Sequence, residues 1–438
     1  MTEQTCTRAA EAIRAGKLRP IDLVEHCLER IERFDAQVHA WVLVDAEDAR
    51  REAAKLGDEL SRGFDRGPLH GIPIGIKDII DVAPWPTRAG SPLRADHRAA
   101  RDAELVARLR RAGAIILGKT VTTEFAWVDP PPTRNPWNLD RTPGGSSSGS
   151  AAAVAMGMCL AAVGSQTGGS ITRPASYCGV AGCKPAHGTV SVAGVFPFAP
   201  TLDHPGPVAR TVDDLRLMLA AMVEQPWSPS PAEAGPPRLA SGFPHFAGNP
   251  GQFPELTSVI LAMRAQLGRI TGSARSAMLM IPETFDTVVA MHRRIMAYEA
   301  GQTHREKFPS RRAEYGPKIA ALLEEGLAIT VAEYDAALAH RAEFRDALLD
   351  VLERVDAVVT VATPGPAPGP ETTGDPRFNS PWSYAGVPTV SFPAALAVDG
   401  MPLALQLVGH PDRMDRLFAA ARWCEERIAF KARPPLAV

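Results

Sequence analysis

The chain lacks an excess of either charge: 47 Lys and Arg stand against 49 Asp and Glu over 438 residues, a net −2. That balance argues against a nucleic-acid partner, which draws on a basic surface. Cysteine is scarce and mostly scattered, at Cys6, Cys27, Cys159, Cys178, Cys183 and Cys424. Reduced, mostly buried thiols are therefore expected, with no disulfide framework. No apolar stretch is long enough for a bilayer, since the longest, residues 151–164, is short and rich in Ala and Gly. The opening Met1-Thr2-Glu3-Gln4 has neither the basic patch nor the apolar core of a signal peptide, so no membrane association and a cytoplasmic location are expected. No histidines stand in a metal spacing such as H-E-x-x-H. There is also no Walker A lysine, no dinucleotide fingerprint and no internal repeat. Neither a metal nor a nucleotide cofactor is expected.

What is present is ordinary composition for a large core, 45% hydrophobic and 22% charged residues in 46.8 kDa. Large α/β enzymes of this size often fold as one unit, and a single domain over residues 1–438 is expected. Apolar spacing predicts helices over 7–15 and 20–34, and a charged helix over 46–60. The run 72–76 reads as a strand, 102–111 as a helix and 114–118 as a buried strand, the strand–helix–strand grammar of an α/β protein. A helix over 151–158 and a short strand over 160–163 follow, and strands return at 357–361 and 403–408. Between them, 225–254 turns to Pro, Gly, Ser and Ala, and introduces a helical segment to about 350. Residues 225–350 thus read as a variable loop and a helical cap or insert.

Lys77 ends Gly71-Ile72-Pro73-Ile74-Gly75-Ile76-Lys77-Asp78, an apolar run with no ordinary use for a lysine. A desolvated lysine loses its charge and becomes a base. Downstream stand Gly144-Gly145-Ser146-Ser147-Ser148-Gly149-Ser150 and Thr167-Gly168-Gly169-Ser170. Taken singly, a lysine after a strand is usually a snorkelling surface residue, and Gly/Ser runs are usually turns or linkers. Here both runs are embedded in small apolar sequence, unlike linkers. Together they offer a base, a relay hydroxyl, a nucleophile and a loop of free amides, the parts that amide hydrolysis needs. An unperturbed lysine would be neutral in only about one molecule in a thousand near pH 7.5, a penalty of about 4 kcal/mol that burial must remove.

In order and spacing these runs, with Arg134-Asn135-Pro136-Trp137-Asn138 and a C-terminal stretch from Phe378 to Pro411, resemble the amidase signature family of serine hydrolases. Ser146 and Ser170 stand 24 residues apart, as in that family, with the lysine upstream. The resemblance implies an α/β/α sandwich around a central mixed sheet, and a cis peptide at Gly145-Ser146. It also implies Ser170 as nucleophile, Ser146 as bridging serine and Lys77 as terminal base, with the backbone amides of Thr167, Gly168, Gly169 and Ser170 as the oxyanion hole. The substrate would be a small neutral amide, with esters and carbamates sharing the same chemistry, and the chain would act as a monomer or homodimer.

Two positions depart from the family pattern. An acidic residue commonly precedes Thr-Gly-Gly-Ser and an arginine stands two residues after the nucleophile; here these are Gln166 and Thr172, with Arg173 shifted by one. The paired change reads as loss of both charges, because either charge buried alone would be costly. It points away from the family's glutamine-hydrolysing subunit of tRNA-dependent amidotransferases, which remains the alternative. A further alternative is the nucleophile elbow of α/β-hydrolases, since Gly145-Ser146-Ser147-Ser148-Gly149 matches G-x-S-x-G, with His204, His340 or His410 as base. The preceding turn-like segment with two prolines does not supply the strand an elbow requires. Trp127, Trp137, Phe196, Phe198, Trp382 and Tyr384 flank the motifs. As pocket walls these rings would favour bulky or aromatic groups, though each is as readily core.

Overall fold

The computed structural model describes residues 4–224, 236–241, 254–271, 275–278 and 282–437. Its strands are β1 (Trp41–Val44), β2 (Pro73–Lys77), β3 (Ile115–Thr120), β4 (Ala161–Gln166), β5 (Ala181–Lys184), β6 (His204–Ala209), β7 (Arg238–Ser241), β8 (Arg275–Met278), β9 (Ala357–Val361), β10 (Thr389–Leu396) and β11 (Pro402–Val408). Among the described residues they form one mixed sheet in the order β1-β3-β2-β4-β6-β5-β10-β11-β9-β7-β8, flanked by helices. The apolar runs near residues 72–76, 114–118 and 160–163 become a parallel group next to the β1 edge, with β2 paired to both β3 and β4. Every residue of these three strands is buried, as parallel strands covered on both faces must be. Their carboxyl ends reach the same edge, where a ligand crevice forms in α/β sheets. Lys77 ends β2 and Gln166 ends β4.

The Ser/Gly run is not a linker. Residues 142–156 are all buried, and the helix Ser148–Ala155 starts inside the run, three residues earlier than its alanines suggest. Ser148 Oγ donates to the Gly144 carbonyl at 2.6 Å and so closes the turn before the helix. Gly149 is needed for the close approach: a Cβ there would lie 2.2 Å from the Ala40 carbonyl oxygen. The helix can then pack directly onto β2 and β4.

The segment 225–350 differs from expectation. It holds the helices Pro254–Thr271, Val288–His304, Pro317–Ala328 and Val331–Leu352, yet also β7 and β8, which extend the sheet beyond β9. These four-residue strands begin with arginine and are too short to show a period. β6 was equally hidden, because Pro205 and Pro207 remove ladder donors from what is nonetheless an interior strand. Most of the expected 225–254 loop lies outside the described residues.

Candidate active site

Burial places Lys77 where its charge is hardest to keep. The side chain is wholly buried beside Ile74 and Ile76, and desolvation pulls its pKa well below the ordinary lysine value, with Asp203 pulling the other way. Lys77 Nζ lies 2.7 Å from Ser146 Oγ and 2.7 Å from Ser165 Oγ. Ser146 follows a cis Gly145-Ser146 peptide and is itself buried. The next amide, Ser147 N–H, donates to the Ser170 carbonyl at 3.2 Å, which brings the Ser146 segment against the turn that carries Ser170. Ser170 lies between β4 and the helix Thr172–Tyr177 and is 8% exposed. The lysine and both serines singled out in the sequence are thus brought to one carboxyl edge of the sheet.

The loop 167–170 is held by its carbonyls. His292 Nε2 meets the Thr167 carbonyl at 3.0 Å, Ser383 Oγ donates to the Gly168 carbonyl at 2.7 Å, and Arg173 N–H donates to the Gly169 carbonyl at 2.9 Å. A carbonyl can only accept, so His292 carries its proton on Nε2; burial pushes this imidazole down to about 4 and keeps it neutral. Among the described residues, no protein acceptor is paired with the N–H groups of Gly168, Gly169 or Ser170. Gly169 must lack a side chain, because a Cβ would lie 2.6 Å from Asn379 Oδ1. Thr167 Oγ1 donates to Asp203 Oδ1 at 2.5 Å, and the Phe198 and Ala199 amides donate to Asp203 Oδ2. Burial nevertheless raises the Asp203 carboxyl to about 6.

The departures at 166 and 172 take a different physical form from the expected loss of both charges. Gln166 Oε1 accepts the Ile171 and Thr172 amides, each at 2.9 Å, and Nε2 donates to Ser383 Oγ at 3.0 Å. The guanidinium is retained one residue later. Arg173 is buried and donates to the carbonyls of Gly374 at 2.8 Å and Gly145 at 2.6 Å, and to Thr373 Oγ1 at 3.3 Å. Carbonyl dipoles solvate the cation, so no carboxylate need contact it.

The aromatic candidates separate. Trp127 stacks on Phe198 at 5.6 Å, and the pair adjoins the site through Phe198 N–H on Asp203 and through Thr123, whose Oγ1 donates to the Trp127 carbonyl and whose N–H donates to the Ser146 carbonyl. Phe196 is partly buried and packs near Phe125 and His304. Trp382 and Tyr384 are 3% and 0% exposed; Trp382 packs on Phe285, and the Tyr384 hydroxyl donates to the Ala337 carbonyl. Both belong to the core behind the loop 167–170, not to an open wall. Trp137 joins a separate cluster with Tyr177 and Met401.

The elbow reading finds no support in the geometry. Its serine, Ser147, is buried and exchanges hydrogen bonds with the backbone of Ser165, Oγ to the carbonyl and N–H to Oγ, both at 3.2 Å. His204 Nδ1 meets the carbonyls of Leu202 and Gln166, His340 meets Tyr384 and Thr287, and His410 caps Asp412. Sequence reasoning missed Ser165, Asp203, His292, Asn379 and Ser383. Ser165 alone carried a signal, as a polar residue inside an apolar strand.

A buried lysine against a buried serine, beside a turn whose amides have no protein acceptor among the described residues, is a set of groups suited to acyl-transfer chemistry. The chain belongs to the amidase signature family: the family model described as Amidase matches residues 22–417. It is 32% identical to "Putative amidase AmiD" of Mycobacterium tuberculosis, covering 98% of this chain and 95% of that protein. It is 33% identical to a glutamyl-tRNA(Gln) amidotransferase subunit from Carboxydothermus hydrogenoformans, covering 97% of this chain and 98% of that protein. The structure of the native peptide amidase from Stenotrophomonas maltophilia superposes with a TM-score of 0.83 at 28% identity, covering 100% of this chain and 99% of that one.

Proposed function

We propose that this amidase-family hydrolase cleaves small neutral amides, with aryl or bulky acyl and amine groups preferred, through an acyl-enzyme on Ser170. The contact that carries the reading is Lys77 Nζ on Ser146 Oγ, a base already coupled to a relay hydroxyl. Ser170 Oγ attacks the carbonyl carbon while its proton passes to Ser146 Oγ and the Ser146 proton passes to neutral Lys77. The N–H groups of Thr167, Gly168, Gly169 and Ser170 receive the oxyanion, and such donors are each worth about 3 kcal/mol in the transition state. Collapse returns the proton through Ser146 to the departing nitrogen. Water then releases the acyl group by the same steps in reverse order.

Trp127, partly buried and stacked on the buried Phe198, supports an apolar substrate group, and the partly buried Phe196 is a second candidate for this wall. Esters and carbamates, including urethanes, present the same carbonyl to the same nucleophile. The six cysteines are free and buried, which fits a reducing cytoplasm, and no helix among the described residues is long and apolar enough to cross a membrane. The chain works without a partner chain, as a monomer or homodimer. The second reading is a glutamine-hydrolysing component of a tRNA-dependent amidotransferase, favoured by likeness to such proteins over nearly the whole chain. Gln166 and Thr172 weigh against it. A panel of chromogenic amides, esters and carbamates set against free glutamine tests the choice with the isolated protein. Turnover of neutral amides is expected; glutaminase activity that appears only on adding cell extract would promote the second reading.

A further inference from the structure

A trans peptide holds its C=O and N–H antiparallel, so a carbonyl gripped on one side of the oxyanion loop aims the following N–H to the other. His292 therefore sets the Gly168 amide through the Thr167 carbonyl, and Ser383 sets the Gly169 amide through the Gly168 carbonyl. Ser383 has one hydroxyl proton, and what it does depends on its other neighbour. Gln166 Oε1 is occupied by two backbone N–H groups, which identifies the remaining atom as the amide nitrogen, a donor only. Ser383 Oγ must accept from it, and its own proton is left for the Gly168 carbonyl.

We propose that Gln166 is a positioning residue whose neutral carboxamide sets the direction of the chain Gln166 to Ser383 to Gly168, and thereby aims the Gly169 N–H at the oxyanion. A carboxylate at 166 would satisfy the Ile171 and Thr172 amides equally well. It would also take the Ser383 proton, turn the hydroxyl round and free the Gly168 carbonyl. The carboxamide is thus not a passive neutral substitute for an acid: the polarity of the relay depends on it. Gln166 and Ser383 are fully buried, and Gly168 is partly buried.

The inference rests on the reading of Ser170 as nucleophile. It is tested with Gln166→Glu, Ser383→Ala and the double variant, measuring kcat and KM on the best amide of the panel and the affinity of an aryl boronic acid. The boronate forms a tetrahedral adduct on Ser170 with an oxygen in the hole. Each single variant is expected to lose roughly 10- to 100-fold in kcat, less than outright removal of an oxyanion donor, with KM within about twofold. Boronate affinity falls in parallel, and the double variant is no worse than the poorer single because both break one chain. A loss confined to KM or to thermal stability, additive losses, or wild-type kcat in Gln166→Glu overturns the inference. If Gln166→Glu does not fold, Ser383→Ala decides: unchanged kcat and boronate affinity overturn it. Wild-type protein that neither hydrolyses the panel nor forms the adduct overturns the hydrolase reading and the inference together.

Discussion

Lys77 Nζ is held by Ser165 Oγ at 2.7 Å, the same distance at which it meets Ser146 Oγ. A neutral amine has two N–H bonds and one lone pair. In the proposed relay Ser165 accepts one N–H, which turns the lone pair toward the Ser146 hydroxyl. The two serines come from different elements, one from β4 and one from the buried turn before the helix Ser148–Ala155.

Ser165→Ala should therefore lower kcat by about tenfold with little change in KM, the pattern of an interaction needed in the transition state and not for binding. Steady-state kinetics on one chromogenic amide measure it. An unchanged kcat would show that Ser165 does not orient the base.

Ser170→Ala should abolish turnover while the far-ultraviolet circular dichroism spectrum stays native. Lys77→Met should cost about as much, upwards of about 10³-fold in kcat, because the three residues act as one unit. A chelator should leave the wild-type rate unchanged, since the base is an amine. If Lys77→Met kept most of its activity and a histidine substitution removed it, a different triad would be at work.

The pH profile should carry the signature of a displaced lysine. The proposed mechanism needs neutral Lys77, and desolvation has pulled its pKa well below the ordinary value. The rate should rise with pH and reach its plateau before the ordinary lysine range near 10.4. Asp203 pulls the Lys77 pKa upward, so Asp203→Asn should move the rising limb to lower pH. A limb at the ordinary lysine position would contradict the burial.

Lys184 gives a stability prediction separate from catalysis. It is buried at the end of β5, donates to the Val387 carbonyl, and is lowered to about 7, chiefly by desolvation, with Arg345 and Arg341 acting in the same direction. The folded pKa lies below the unfolded one, so between about 7 and about 10.4 the unfolded chain holds one more proton and stability rises with pH. One proton corresponds to about 1.4 kcal/mol per pH unit. Lys184→Met should remove that slope relative to wild type. Denaturant unfolding of both proteins between about pH 7.5 and 9.5 gives the comparison.

The β2 and β3 strands, the buried helix after the Ser/Gly run and the lysine–serine–serine set were legible because their signals are local. Apolar runs of strand length flank an anomalous lysine, and two Ser/Gly motifs stand at the family's spacing. The spacing of Ser146 and Ser170 was readable along the chain, and so was the replacement of charged family residues at 166 and 172. What those replacements do was not readable. Gln166 reaches Ser383, which is more than 200 positions away, and Arg173 reaches Gly374 at similar separation. His292 comes from a helical segment with no motif of its own.

By itself, then, the sequence determined which groups could do chemistry: a lysine among isoleucines, hydroxyls at family spacing and glycines that permit close approach. Only the tertiary structure decided which of them meet, that Trp382 and Tyr384 support the loop from the core, and that Arg173 keeps its charge on carbonyl dipoles. The reason is physical. Local propensity and periodicity act over a turn or a strand, whereas burial, pKa displacement and the direction of a hydrogen-bonded chain depend on segments that only the sheet order brings together.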